Sequence, residues 1–105
     1  MAEMFDQNAE RYATFGLAAK LPSEVIDGVW DVIDTDLQGM VTLPRVLQFA
    51  LINRKGRVTI VFDDHQDSIF EFDLPYDYTR QFPETIVVLD DGHYQTMMLM
   101  DELQA

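Results

Sequence analysis

Hydrophobic residues recur at helical spacing in one segment, residues 22–37. Pro22 suits the first turn of a helix, and Glu24 complements the positive end of the helix dipole. At about 100° per residue the apolar positions fall on one stripe, and Gly39 then ends the pattern. The spacing predicts one amphipathic helix with a core-facing stripe made of Ile26, Trp30, Ile33 and Leu37, widened by Val25, Val29 and Val32.

Alternation of apolar and polar residues, with a period of two, predicts the β-strands. A short run over residues 11–17 indicates a first strand ended by Gly16. After the helix the alternation is stronger, and Pro75 interrupts one of its segments. The segments after the helix are residues 46–53, 57–63, 68–74, 84–90 and 93–100.

Two glycines mark the turns between these strands. Arg54-Lys55-Gly56 predicts a short turn in which glycine supplies a positive φ. Asp91-Gly92 is the strongest hairpin signal and predicts a type I′ turn. We expect a single α+β domain over residues 1–105, with one main amphipathic helix packed on an antiparallel sheet of four to five strands.

Composition agrees with a single soluble domain. The 105 residues are 48% hydrophobic, enough for a core without disulfide or metal support. The absence of cysteine excludes thiol chemistry and Cys-ligated zinc. The N-terminus lacks the features of a signal peptide, and no apolar run is long enough to span a membrane. We therefore expect a cytoplasmic protein.

Charge is the most unusual property of the chain. The chain has nineteen acidic and seven basic residues, which gives a formal net charge of -12. Residues 58–105 carry eleven of the acids and only one base, Arg80. Such a surface repels nucleic acid and anionic membranes and attracts basic proteins. Acidity that serves only solubility is the competing interpretation.

Several residues, in order along the chain, resemble a small uncharacterised Firmicutes family, the domain of unknown function 960. The resemblance covers about the first two thirds of the chain. It implies a small bacterial cytoplasmic α+β protein, is compatible with carriage by mobile elements, and assigns no catalytic residue. It rests on Met4-Phe5, Arg11-Tyr12, Thr14, Gly16, Pro22, Trp30, Ile33-Asp34, Leu47-Gln48-Phe49 and His65-Gln66.

Two acidic clusters could bind metal. Asp63, His65 and Asp67 alternate at a strand end, where they could hold a divalent ion, although a solvated acidic turn explains the same residues better. Residues 34–39 imitate the opening of an EF-hand loop, but the position of its bidentate glutamate is Arg45. Neither cluster makes a metal site the favoured interpretation.

Catalytic motifs are absent from the sequence. Ser23 and Ser68 lie outside any nucleophile elbow, and no Walker A, dinucleotide or His-Glu-x-x-His motif occurs. We therefore expect a protein that is not an enzyme and has no cofactor.

Three functional hypotheses follow. The first is a non-catalytic acidic module, carried by a mobile element, that engages a basic protein, for example as a nucleic-acid-mimicking inhibitor of a nucleic-acid-binding enzyme. The second is a self-associating housekeeping module, such as a homodimer, built on the run Met97-Met98-Leu99-Met100, if residues 94–100 form an edge strand. The third is a metal-dependent hydrolase centred on residues 63–67. The predicted partner contacts of the first are Glu24, Asp27, Asp31, Asp34, Asp63, Asp64, Asp67 and Glu71.

Overall fold

The fold is a curled six-stranded sheet with one main helix packed on one of its faces. A computed structural model describes residues 4–40, 42–63 and 68–104. The strands are β1 (Glu10–Ala13), β2 (Val46–Arg54), β3 (Arg57–Asp63), β4 (Ile69–Asp77), β5 (Thr85–Asp90) and β6 (Tyr94–Leu99). The described residues form two α-helices, the short α1 (Phe15–Ala18) and the main helix α2 (Ser23–Asp31). Helix α2 continues as a π-helical turn (Val32–Leu37), and a 3₁₀ turn (Met100–Gln104) follows β6.

The strand order is β1-β6-β5-β2-β3-β4. All neighbours are antiparallel except β1, which pairs in parallel with β6. The prediction of four to five strands was therefore too low, because the short N-terminal segment joins the sheet. The same pairing makes the Met-rich strand β6 an interior strand, so the edge strand considered for residues 94–100 does not exist.

The main helix buries most of the predicted stripe, but Trp30 is only partly buried. Val25, Val29 and Ile33 are fully or almost fully buried, and Leu37 closes the same face. The helix hydrogen-bonding changes after Asp31, where i→i+5 bonds such as Gln38 N–H to the Ile33 carbonyl replace the α pattern. Helical structure thus extends to the predicted end, but with two different angular spacings.

Two predicted strand boundaries were wrong. Residues 11–17 do not form one strand, because Thr14 caps α1 by accepting a hydrogen bond from the Leu17 N–H. Strand β4 continues past Pro75 to Asp77. Proline is tolerated there because β4 is an edge strand and its pairing with β3 is irregular at this point.

The type I′ turn lies at a different hairpin from the one predicted. Lys55 and Gly56 both have positive φ, 57° and 86°, as this turn requires between β2 and β3. Gly92 also has a positive φ, but Asp91 does not. Instead, the Asp91 carboxylate accepts hydrogen bonds from the N–H groups of His93 and Tyr94 and forms a wider loop.

The core lies between α2 and the inner face of the sheet. Leu47, Phe49, Ile60, Ile86 and Met97 point from the sheet into it and are fully buried. The opposite, outer face carries the alternate side chains of the same strands, of which Val87 and Met98 are buried. Its centre, on β6, β5 and β2, is uncharged and consists of Tyr94, Thr96, Met98, Thr85, Val87, Leu89, Val46, Gln48, Ala50 and Ile52.

Candidate interaction surface

Three of the four predicted helix carboxylates form an exposed row. Glu24, Asp27 and Asp31 lie on the solvent side of α2, three and four residues apart. At a rise of about 1.5 Å per residue they are spaced by about 4.5–6 Å along the axis. Such like-charged neighbours weaken a helix slightly, so they do not contribute to its stability.

Asp34, the fourth member of the predicted row, is used inside the fold. Its two carboxylate oxygens accept hydrogen bonds of 2.6 and 2.8 Å from the guanidinium of Arg11, and both side chains are mostly buried. The Arg11 Nε donates to Gln95, and the guanidinium carbon lies 4.6 Å from the centroid of the Trp30 ring. Asp34 is therefore a structural partner of Arg11 on β1.

The same network holds the N-terminal segment on the fold. Phe5 is fully buried with a φ of 60°, and its N–H donates to the carboxylate of the buried Asp90. Its carbonyl accepts hydrogen bonds from Arg11 and from the Gln38 amide. The Gln95 amide donates to the Asp6 carbonyl. Within the described residues no buried side-chain nitrogen or oxygen lacks a partner, so this network is satisfied internally.

A groove between α2 and the edge strand β4 brings helix and strand acids together. It has a volume of about 520 Å³ and contains no basic residue in its wall. Leu74 and Tyr76 of β4 lie against the helix at Gly28, where an added Cβ would be 3.3 Å from Leu74. Its wall consists of Gly28, Asp31, Val32, Asp36, Glu71, Phe72, Asp73, Leu74, Pro75 and Tyr76.

The two strand acids of this wall also bond toward the outer face of the sheet. Glu71 accepts a 2.5 Å ion-pair hydrogen bond from Arg54, and this bond is the main reason that the pKa of Arg54 is raised. Asp73 accepts a 2.6 Å hydrogen bond from the hydroxyl of the buried Thr59. Their carboxylates therefore flank β4 on its outer side, whereas Asp31 and Asp36 flank it on the helix side.

The remaining predicted contacts are not all described. Asp63 is exposed at the end of β3. Asp64 and Asp67, and with them His65 of the predicted metal cluster, lie outside the described residues. In the described part of the chain no three acidic or histidine side chains come close enough to hold a metal ion.

The sequence analysis placed Asp31 and Asp34 in one row of partner contacts. It did not include Asp36 or Asp73 among those contacts. Asp36 follows Asp31 by five residues, which is the hydrogen-bonding interval of a π-helix and not of an α-helix. Asp73 was part of the predicted alternation of β4, but only the pairing with β3 shows that this strand lies at the sheet edge beside α2.

Comparisons with known proteins identify the family. The model of DUF960, described as a Staphylococcal protein of unknown function, matches residues 10–102. The chain belongs to the DUF960 family. This confirms the resemblance stated from the sequence.

A solved structure resembles this DUF960 chain over nearly its whole length. It is the crystal structure of a protein of unknown function from Enterococcus faecalis, which is 40% identical, with 97% of each chain covered and a TM-score of 0.92. The comparison with curated proteins gave no match. None of the described helices is long and apolar enough to cross a membrane.

Proposed function

We propose that this protein is a non-catalytic interaction module that engages a basic protein through the acidic surface formed by α2 and β4. The observation that carries the proposal is the α2–β4 groove, whose wall contains four acidic residues and no basic one. Arg54 pairs with Glu71 from the outer face, so within the described part of the chain Asp31 and Asp36 supply the unpaired charge of the groove. The Debye length at physiological ionic strength is about 8 Å, so an acidic surface attracts a basic one over that distance. This attraction raises the rate of association. The net charge of -12 adds to that attraction.

The class of partner follows from the spacing of the helix acids. Glu24, Asp27 and Asp31 present charges at intervals of about 4.5–6 Å along α2, somewhat closer together than phosphates along one nucleic-acid strand. Large basic grooves belong most often to nucleic-acid-binding proteins. We therefore favour an inhibitor that occupies the nucleic-acid site of such an enzyme, with the helix-side groove acids Asp31 and Asp36 as its main contacts.

A pull-down from host lysate at low salt, eluted with increasing salt, tests this function. Three baits are compared: the wild type, D31N/D36N, and the control E84Q/D101N, which removes the same charge from exposed sites away from the groove wall. We expect a basic protein that is released as salt rises and is lost only from D31N/D36N. Equal recovery on all three baits, or no basic protein on any, contradicts the proposal.

Self-association is the second candidate function, and the uncharged outer face of the sheet supports it. In a chain that is 25% charged, the centre of this face has no charged residue across β6, β5 and β2. Val46 and Tyr94 on it are 40% and 44% exposed. A second copy could stack on this face without burying a charge, although the interior position of β6 removes the strand-edge route.

Sedimentation equilibrium at high micromolar concentration tests self-association. A dimer that V46E converts to a monomer supports it, because the glutamate would be buried without a partner. Val46 is 40% exposed in the single chain, so we expect V46E to leave the fold intact. A wild-type protein that stays monomeric contradicts this second candidate.

A further inference from the structure

The strand β4 is a long open edge of the sheet. It has nine residues and pairs with β3 alone among the described strands, whereas the opposite edge strand, β1, has only four. An edge strand presents a row of unpaired backbone N–H and C=O groups that another chain can bind. The groove that contains Asp31 and Asp36 lies beside this edge.

Pro75 and the pairing irregularity limit the part of β4 that can accept a strand. Proline has no N–H to donate, and the regular register with β3 covers Ile69–Asp73. The available edge is therefore Ile69–Leu74. These residues alternate between the two faces of the sheet, and a strand added beside them would do the same.

Acids on the helix side of this edge select the occupant by charge. Asp31 and Asp36 lie on the helix side, where the described groove wall has no basic residue, whereas Glu71 and Asp73 lie on the outer side within 2.5 and 3.9 Å of Arg54. The same acids repel a second copy of this chain, whose net charge is also negative. A strand that carries positive side chains on its helix-side face is therefore matched in charge.

We infer that the partner supplies an extended, lysine- or arginine-rich segment that adds to β4 as a seventh strand along Ile69–Leu74. The main chain of this segment hydrogen-bonds to the edge of β4. Every second side chain of the segment reaches Asp31 and Asp36 in the groove, and the aliphatic parts of these side chains contact Phe72 and Tyr76. The inference rests on the proposed function and specifies how the basic partner is recognised.

Two synthetic peptides of equal charge separate strand addition from simple charge attraction. The probe is a short peptide of alternating lysine and threonine, and its control is the same peptide N-methylated at every backbone nitrogen, which keeps the charge but cannot form a strand pair. Amide hydrogen exchange and NMR shifts of the full chain are measured with each peptide at low salt.

We expect the unmethylated peptide to slow exchange of outward amides within Ile69–Leu74 and to bind at least about tenfold more tightly than its methylated control. D31N/D36N should weaken this binding, and E84Q/D101N should not. Equal binding of both peptides at the acidic surface overturns strand addition and leaves the proposed function standing. Binding of neither peptide overturns both.

Discussion

At the scale of single residues, Arg11 has four different partners within the fold. Arg11 contacts Asp34, Gln95, the Phe5 carbonyl and the Trp30 ring. These contacts connect the N-terminal segment, β1, β6 and the π-helical turn. Several of the residues that carry the family resemblance, including Phe5, Arg11, Trp30 and Asp34, belong to this network. The resemblance therefore reports a structural requirement of the fold.

Removing the Asp34 carboxylate should destabilise the protein strongly. D34A leaves the mostly buried Arg11 without its bidentate partner, and we expect the free energy of unfolding to fall by about 2–3 kcal/mol. Urea unfolding measures this change. D27A, which removes an exposed acid of the same helix, should stay within about 0.5 kcal/mol of the wild type. If D34A behaves like D27A, the Arg11 network does not stabilise the fold.

Glu102 should contribute to the pH dependence of stability. Hydrogen bonds from the Thr14 hydroxyl and the Leu99 N–H lower its pKa in the folded state. Its stabilising effect is therefore complete above its ordinary pKa of about 4.5 and is lost as the pH falls through the lowered value. E102Q should reduce the loss of stability on acidification below pH 4.5, as measured by urea unfolding at several pH values.

Asp91 is unchanged in both proteins of that experiment and contributes its own acid sensitivity. Backbone N–H groups of Tyr94 and His93 lower its pKa as well, so wild-type and E102Q proteins both retain the acid sensitivity that Asp91 causes. An unchanged acid dependence in E102Q would show that the Thr14 and Leu99 hydrogen bonds do not favour the charged form of Glu102.

At the scale of elements, the type I′ turn between β2 and β3 leads us to predict opposite changes in the free energy of unfolding for substitutions at two adjacent residues. Lys55 has a positive φ that asparagine adopts more readily, so K55N should raise the free energy of unfolding by about 0.5–1 kcal/mol. G56A places a Cβ at a φ of 86° and should lower it by about 1 kcal/mol. Thermal or urea unfolding checks both. Shifts in the same direction would contradict the turn geometry.

Periodicity predicted most of the elements because it records which side chains are buried. The apolar stripe of α2 and the alternation of β2, β3 and β4 all reappear in the structure. The parallel pairing of β1 with β6 could not be predicted, because only long-range contacts such as Arg11 with Gln95 place the two strands together.

The candidate surface was predictable only in part for a similar reason. Asp31 and Glu71 were found from charge and spacing, and both line the groove. Asp34 was assigned to the same row because an α-helical spacing was assumed beyond Asp31. The π-helical turn changes that spacing and brings Asp36 to the groove instead.

At the scale of the whole molecule, the charges are arranged unevenly around the sheet. Among the described residues, unpaired carboxylates lie on the helix side of the β4 edge, Arg54 pairs with Glu71 on its outer side, and the centre of the outer face is uncharged. The two proposed associations would therefore use different surfaces: charge-dependent binding at α2 and β4, and charge-independent stacking at the outer face. Added salt should weaken the first and spare the second.

The most direct test of the central claim is the affinity of the captured basic partner at several salt concentrations, measured by isothermal titration calorimetry. The wild type is compared with D31N/D36N and with the charge-matched E84Q/D101N. We predict that D31N/D36N binds at least about tenfold more weakly at low salt and depends less steeply on salt, while E84Q/D101N stays near the wild type. Equal affinities and equal salt dependence of the two variants would contradict the claim that the α2–β4 acids form the binding surface.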